Sequence, residues 1–352
     1  MQLSIIVPVY NVEEYIEKCI LSLQRQDIPK DQYEIIVVND GSPDNSREVI
    51  LRLMGTFSNI KLIDQENKGV SIARNVGIEQ SQGHYLLFID ADDYISDNSL
   101  LQSLKIAKQQ QAQITFLDYS ILNADGSEKK QIQFKQLQDK SYPGLIAYGL
   151  SRGDGTSDPD RSWGILYEKE FLNKFQLRYT AKIPVLEDGE FIARVLCLAE
   201  RCVFSPGLFY MRTTRPGSAI NSDLFYSERS VNGFIIGANN LKKFKEGQHL
   251  NKAQQFLINQ PIAKFTLLVV QACTGKDKYK QYKKTKEKLK FNNLDKIDIQ
   301  GCSGIYYRHG LIYNISIDLF YFVWSLKLAF ISSVNKIQSL FNKKNYTHAT
   351  AK

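Results

Sequence analysis

Residues 85–93 read Tyr85-Leu-Leu-Phe-Ile-Asp90-Ala-Asp92-Asp93, an apolar strand that runs straight into three carboxylates. Asp90 and Asp92 stand two positions apart at the open end of what the pattern makes a buried strand. Mg²⁺ and Mn²⁺ favour oxygen ligands, and Mg²⁺ typically takes one or two protein carboxylates together with substrate phosphates. This strand end therefore suits a divalent cation shared with a phosphate-bearing ligand. Taken alone, the same residues read equally as turn formers and helix caps. The chain that precedes them favours the first reading.

The chain opens with Leu3-Ser-Ile-Ile-Val-Pro-Val9, an uncharged apolar run expected of a central parallel strand covered by helices. Asn11 before Val12-Glu13-Glu14 reads as an N-cap with an acid at the third helical position, and an amphipathic stretch continues to about Gln26. A second apolar run, Glu34 to Asn39, ends in Asp40-Gly41-Ser42 and feeds a helix from about Asp44 to Met54. A third, Ile60 to Asp64, leads through Asn67-Lys68-Gly69 to a helical segment containing Ala73-Arg74-Asn75. Strand and helix in strict alternation predict an α/β fold with a doubly wound sheet, whose ligands sit outside the carboxyl ends of the strands. Tyr10, Asp40, Lys68, Arg74 and Asp90 all lie after or near those ends and are expected to share one crevice.

Pro8-Val9-Tyr10-Asn11, Val38-Asn39-Asp40-Gly41-Ser42, Asn67-Lys68-Gly69-Val70 with Ala73-Arg74-Asn75, and Asp90-Ala91-Asp92-Asp93 resemble, in order and spacing, the signature series of the family 2 inverting glycosyltransferases. The match is dense over the first third of the chain and thin to about residue 220. The resemblance implies the GT-A fold, a mostly parallel doubly wound sheet flanked by helices, and a nucleoside-diphosphate sugar as donor, with UDP expected. It further implies that Tyr10 and Asp40 hold the base, with Pro8, Lys68 and Ala91 beside the nucleotide. Arg74 is implied at base or phosphate, Asp90 near the ribose, and Asp92, with Asp90, at a Mg²⁺ or Mn²⁺ on the diphosphate. The chemistry agrees: a carboxylate accepts from a uracil-like imide N–H, a tyrosine ring stacks on a base, and a cation neutralises charge on a departing diphosphate. Read alone, Asp40 in Asp-Gly-Ser is a turn former and Tyr10 an ordinary half-buried aromatic.

Inverting transfer needs one carboxylate within reach of the acceptor hydroxyl to take its proton. Pro184-Val-Leu-Glu187-Asp188-Gly-Glu190 resembles the family's Glu-Asp motif before a helix, which makes Asp188 the expected base and Glu187 the alternative. Acids also favour helix starts for electrostatic reasons alone. Trp163 is a candidate platform for the acceptor sugar, although a tryptophan in such a segment is commonly core, and the adjacent Ser162 and Gly164 match the family poorly. Phe209-Tyr210-Met-Arg212 and Arg215-Pro216-Gly217-Ser218 resemble the end of the catalytic domain, implying that Arg212 and Ser218 close over the diphosphate.

The chain has 352 residues, and the expected division is a GT-A unit over 1–222 and a helical C-terminal appendage over 223–352. Five cysteines, at 19, 197, 202, 273 and 302, lack the paired short spacing of zinc sites and fit a reduced, cytoplasmic compartment. No apolar leader precedes the first strand. Residues 119–142, with Asn123-Ala-Asp-Gly-Ser127, read as a polar surface hairpin or loop. The formal charge of +8 is uneven: residues 241–300 hold 14 Lys against 5 Asp and Glu. Residues 311–333 follow, nearly uncharged but for Asp318 and Lys327, with Asn314, Asp318, Ser325, Ser332 and Lys336 at helical spacing. A membrane span needs about 20 apolar residues, and each of those two charges would cost about 2.5–3.5 kcal/mol near its middle. An interfacial helix beside anionic head groups is expected first and a helix packed on the protein second. No recognised nucleic-acid motif accompanies the lysines, so no nucleic-acid partner is expected.

The expected protein is an inverting, metal-assisted transferase acting on a hydroxyl of a lipid-linked or polysaccharide acceptor, peripheral on the cytoplasmic face of the membrane. The alternatives are a catalytically silent nucleotide-sugar-binding scaffold of an assembly complex and a nucleotidyltransferase. The second of these would want a basic, glycine-rich loop after the first strand, which Pro8-Val-Tyr-Asn11 is not. A dehydrogenase would need Gly-x-Gly-x-x-Gly there.

Overall fold

The computed structural model describes residues 1–137, 140–152, 160–214, 223–274 and 278–331. The first half alternates as expected: β1 (Leu3–Val9), α1 (Ile16–Gln24), β2 (Tyr33–Asn39), α2 (Ser46–Met54), β3 (Ile60–Asp64), α3 (Val70–Gln80) and β4 (Tyr85–Phe88). β3, β2, β1 and β4 lie side by side in parallel, with Ile5 of β1 opposite Ile35 of β2 and Leu87 of β4. β1, β2 and β4 are almost wholly buried, which is why they read as continuous apolar runs rather than alternating ones, while the edge strand β3 is partly exposed. α3 lies tight against β1. A Cβ built on Gly77 would fall 2.3 Å from the Ile6 side chain, so only glycine admits this approach, and the approach sets where Arg74 sits.

Beyond β4 come β5 (Tyr94–Ile95), α4 (Leu100–Gln109), β6 (Ile114–Leu122), β7 (Glu128–Ile132), α5 (Gly144–Leu150), β8 (Ile165–Glu168), α6 (Lys169–Lys174), α7 (Glu187–Leu198) and β9 (Cys202–Arg212). The strand order is β3-β2-β1-β4-β8-β6-β9-β5, with β7 on β6. β8 runs antiparallel to both β4 and β6, so the sheet is parallel in its first half and mixed in its second. Within the 119–142 segment, β6 and β7 form a hairpin, closed where the Asn123 N–H donates to the Ser127 carbonyl at 2.8 Å. Its first strand is not surface: Tyr119 and Ser120 are buried.

The expected helix start at Asn11 is displaced. Asn11 has a φ of +54°, and α1 begins at Ile16 without a side-chain cap. The reason is local: the N–H groups of Asn11, Val12 and Glu13 donate to Ser42 Oγ, Ser46 Oγ and Asp44 Oδ2 at 3.4, 3.0 and 2.9 Å. The loop after β2 thus takes the donors that a helix start would leave to its own cap.

The C-terminal region is helical: α8 (Glu228–Gly247), α9 (Lys252–Gln271), α10 (Tyr279–Phe291), α11 (Gly304–Ile315) and α12, spanning 317–331. Its core is separate from that of the sheet, yet it includes Ala193 and Cys197 of α7, whose Phe191 and Leu196 belong to the sheet's core. The C-terminal helices are therefore seated on the helix that begins with Glu187 and Asp188. The expected division at 222 falls within 215–222, outside the described residues. Among those described, no helix is long and apolar enough to cross a membrane. Ser316, extended at φ −159°, ends α11 and separates it from α12.

Candidate active site

Arg74, in the second turn of α3, is 2% exposed and holds three carboxylates. Its Nη2 donates to Asp90 Oδ1 at 2.8 Å, and its Nη1 to Glu187 Oε1 at 3.0 Å and Asp188 Oδ1 at 2.9 Å. Residues from α3, the turn after β4 and the start of α7 are thus joined by one guanidinium, with the Tyr179 ring centred 5.1 Å from its central carbon. Burial alone would lower the Arg74 pKa, but the facing carboxylates together more than offset this and hold it well above its usual value. Arginine suits the task because its planar fork serves several acceptors at once.

The acids respond in the opposite sense. Burial, then the Asp188 charge, pushes Glu187 up to about 7, against the pull of Arg74. Burial likewise raises Asp188, opposed first by Arg74. One cation facing three carboxylates leaves the cluster short of positive charge, and a shared proton or a metal ion would each relieve it. Ser162 Oγ donates to Asp188 Oδ1 at 2.7 Å, so hydroxyl and guanidinium fix the orientation of that carboxylate together. Just before the pair, Leu186 adopts the left-handed conformation (φ 65°, ψ 19°). A branched residue there is a genuine outlier costing about 1–3 kcal/mol, and it turns the first residues of α7 inward toward Arg74. Glu190, one position past Gly189, does different work: it is buried and paired with Arg194 at 2.7 Å.

The turn after β4 is fixed from the far side of the sheet. Tyr210 Oη, on β9, donates to Asp93 Oδ2 at 2.6 Å and accepts from the Asp90 N–H at 3.2 Å. Thr213 donates its N–H to Asp93 Oδ1 at 2.7 Å and its hydroxyl to the Asp92 carbonyl at 2.6 Å. Asp93 is buried, and burial followed by the charges of Asp92 and Asp90 pushes its pKa well up. Tyr210→Phe is expected to cost about 1–3 kcal/mol, the penalty for leaving a buried carboxylate short of a donor. Urea denaturation measures that loss.

The anticipated residues divide in their placement. Tyr10 is 49% exposed at the end of β1, open on the crevice side of the parallel strands, and Lys68 is exposed nearby. Pro8 is half-buried within β1, and Ala91 is buried between the two acids of the turn. Asp40, 3% exposed, instead shows the contacts of a turn former: Gln65 Nε2 and the Lys68 N–H reach Oδ1 at 2.6 and 2.8 Å, and the Gly69 N–H reaches Oδ2 at 2.8 Å. It ties down the start of α3, and through it the position of Arg74. In the structure Arg74, expected at base or phosphate, faces the three carboxylates. Trp163, a candidate sugar platform, is buried. At 5% exposure it stacks on Tyr210 at 4.5 Å and meets Tyr119 edge-on at 5.2 Å, which leaves no open platform for a sugar. Arg212 is half-buried with its guanidinium 5.8 Å from the Trp163 ring, and Ser218 lies outside the described residues.

Ser162, Asp93, Tyr210 and Thr213 were not anticipated in these roles. Asp93 was visible as the third acid of the series, while nothing in the sequence marks Ser162 as the partner of Asp188.

With Arg74 joining the end of β4 to the start of α7, comparison with known proteins is decisive. Residues 4–165 match the glycosyl transferase family 2 profile. Over these residues, just under half of its length, the chain is similar to that family. It is similar to the "Uncharacterized glycosyltransferase EpsJ" of Bacillus subtilis (strain 168), 34% identical over 210 residues, which are 59% of this chain and 60% of that protein. It is 36% identical over 212 residues to the poly(ribitol-phosphate) beta-glucosyltransferase of Bacillus spizizenii, covering 60% of this chain and 32% of the relative. The chain thus spans between about a third and three-fifths of the length of these relatives. Among solved structures, Staphylococcus aureus TarS 1–349 in complex with UDP-GlcNAc superposes with a TM-score of 0.66 at 20% identity, over 94% of this chain and 92% of that one. A mannosyltransferase from Pyrobaculum calidifontis in complex with GDP-Man and Mn²⁺ superposes with a TM-score of 0.50 at 14% identity, over 97% of this chain and 88% of that one. The chain therefore has the GT-A fold, with a mixed sheet flanked by helices.

Proposed function

We propose that this chain is a family 2 inverting glycosyltransferase that moves a sugar from a UDP-sugar to a hydroxyl of a glycan or polyprenyl-linked polymer at the cytoplasmic face of the membrane. The observation that carries the reading is the Arg74 bridge, which brings the acids after β4 and the acids opening α7 to one place. Relatives that glycosylate poly(ribitol-phosphate), and a fold neighbour in complex with UDP-GlcNAc, support the polymer acceptor and the uridine donor.

In this reading Tyr10 stacks on the base, Asp40 and Lys68 shape the loop beside it, and Arg212 and Ser218 close on the diphosphate. The acceptor hydroxyl gives its proton to the Asp188 carboxylate as its oxygen bonds to the anomeric carbon. The bond from that carbon to the diphosphate oxygen breaks on the opposite face, its electron pair leaving with UDP, and the configuration inverts. Arg74 and Ser162 hold Asp188 for this transfer. Glu187 sets how readily the pair gives up its protons.

The residues after β4 fit a divalent cation. Among the described residues no three His, Cys, Asp or Glu side chains form a ready cage, yet Mg²⁺ asks for only one or two carboxylates plus phosphate oxygens. Asp92 and Asp90 would supply these, next to a cluster short of positive charge. A Mg²⁺ or Mn²⁺ there would neutralise charge on the leaving diphosphate. The test is nucleotide release from UDP-, GDP-, TDP- and CMP-sugars in the presence of an isolated polymer acceptor, with the anomeric configuration of the product read by NMR. Release from UDP-sugars with inversion is expected. Retention, or release from none of them, contradicts the proposal.

A further inference from the structure

At α11 and α12 two polar residues, Asn314 and Asp318, bond into the protein, while one face of α12 turns large apolar residues outward. Asn314 Oδ1 accepts from the Ile297 N–H at 2.9 Å, and Asp318 accepts from Tyr282 Oη at 2.5 Å and Lys286 Nζ at 2.6 Å. Ile317, Phe320 and Tyr321 anchor the same side of α12 in the C-terminal core, with the Tyr321 ring stacked 3.9 Å from that of Tyr282. The opposite side presents Leu319, Phe322, Val323, Leu326 and Phe330, three and four apart on one helix face, with Leu326 at 71% and Phe330 at 70% exposure. A surface helix of a soluble protein has the reverse arrangement, and a continuous apolar face of this kind marks an interaction site.

The surroundings of the face indicate what meets it. α10, which packs along α12 through Tyr282 and Lys286, carries six lysines and one glutamate, and α12 adds Lys327. Exposed Lys283 and Lys290 lie on α10 at the same helical stripe as Lys286, and Asp318 is already neutralised by Lys286. Lys284 and Lys288 pair with Glu228, Lys286 with Asp318 and Lys290 with Glu287, so the lysines still outnumber the acids they face. This surplus beside large apolar side chains complements the interface of an anionic bilayer, where rings and aliphatic chains enter the acyl boundary and ammonium groups meet phosphates. A soluble polyanion would engage the lysines and leave the apolar face in water.

We propose that the outer face of α12, flanked by the lysines of α10, docks the protein on an anionic lipid surface by lying in its interface. This deepens the membrane placement in the proposed function and stands on its own geometry, independent of sugar transfer. Because α7 is shared between the two cores, a docked α12 fixes the start of α7 relative to the membrane plane.

The experiment is co-sedimentation of the full chain with vesicles of phosphatidylcholine alone and of phosphatidylcholine mixed with phosphatidylglycerol. Binding is expected only to the mixed vesicles and should weaken as salt is raised. The double substitution Leu326→Glu and Phe330→Glu, at exposed positions remote from the candidate active site, is expected to weaken it roughly 100-fold, while UDP still stabilises the protein against heat. Four results overturn the proposal. The wild-type chain fails to bind mixed vesicles, or the double variant binds them as wild type does. Alternatively, light scattering shows a dimer that the double variant abolishes without any vesicle binding, which assigns the face to a second copy. A chain ending at residue 331 that binds vesicles when the full chain does not assigns the face to its own final segment, and also overturns it. Loss of UDP stabilisation with vesicle binding intact would count against the proposed function and leave this inference standing.

Discussion

Asp188→Asn is expected to lower the rate of sugar transfer by about 10²–10⁴-fold, the range a positioned general base contributes, while UDP binding is unchanged. The asparagine keeps the size of the side chain and an oxygen for Ser162 Oγ and Arg74 Nη1, which in the wild type sit 2.7 and 2.9 Å from Asp188 Oδ1. What it loses is the ability to take a proton. The same cluster predicts the shape of the pH profile. Burial raises both acids of the pair, Glu187 to about 7, so below neutrality the pair holds protons that the reaction needs removed. The rate is therefore expected to rise with pH through the neutral range. Glu187→Gln removes one negative charge beside Asp188 and moves that rise to lower pH. These are properties of the interacting pair, and the profile reports them as such. Steady-state kinetics of both variants, set beside thermal stabilisation by UDP, separates the role of base from that of binding.

Arg74→Ala is expected to destabilise the fold by about 3–5 kcal/mol, because it leaves three partly buried carboxylates facing one another without their buried cation. The side chain is 3% exposed in its ion pairs with Asp90, Glu187 and Asp188, so solvent does little to screen the loss. Arg74→Lys restores the charge but not the fork, and one ammonium cannot reach Asp90 on one side and the α7 pair on the other with the same geometry. The lysine variant is therefore expected to recover most of the stability and little of the transfer rate. Urea denaturation and turnover measured on the two variants give this split. A nucleotide-contacting arginine would show the opposite: ordinary stability in both variants and weakened UDP binding.

Much of the parallel half was legible because β1, β2 and β4 are buried on both sides and read as uninterrupted apolar runs; the edge strand β3, partly exposed, still spans Ile60–Asp64 as the pattern predicts. The second half was less so. β8 is only four residues long and lies antiparallel between β4 and β6, a pairing set by the sheet around it rather than by its own sequence. The start of α1 was misplaced because side chains of the loop after β2, distant in sequence, bind the backbone of residues 11–13. In the site, the acids after β4 and at the start of α7 were legible as chemistry-bearing types at strand and helix ends. The partner each would take was not. Arg74 is turned inward because α3 and α7 meet, Trp163 is covered because β9 brings Tyr210 over it, and Ser162 reaches Asp188 only once the sheet has closed. The outward apolar face of α12 inverts the usual rule for a helix, and sequence periodicity reports a stripe without saying which side faces solvent.

The central claim is that acids from separate segments of the chain gather where a cation meets a diphosphate, with the base beside it. Thermal unfolding of wild type, Asp92→Ala and Asp188→Asn with UDP, in the presence and absence of Mn²⁺, tests it most directly. The account predicts a Mn²⁺-dependent stabilisation by UDP in wild type and Asp188→Asn that is strongly reduced in Asp92→Ala. An equal stabilisation in all three proteins, unaffected by Mn²⁺, would contradict it.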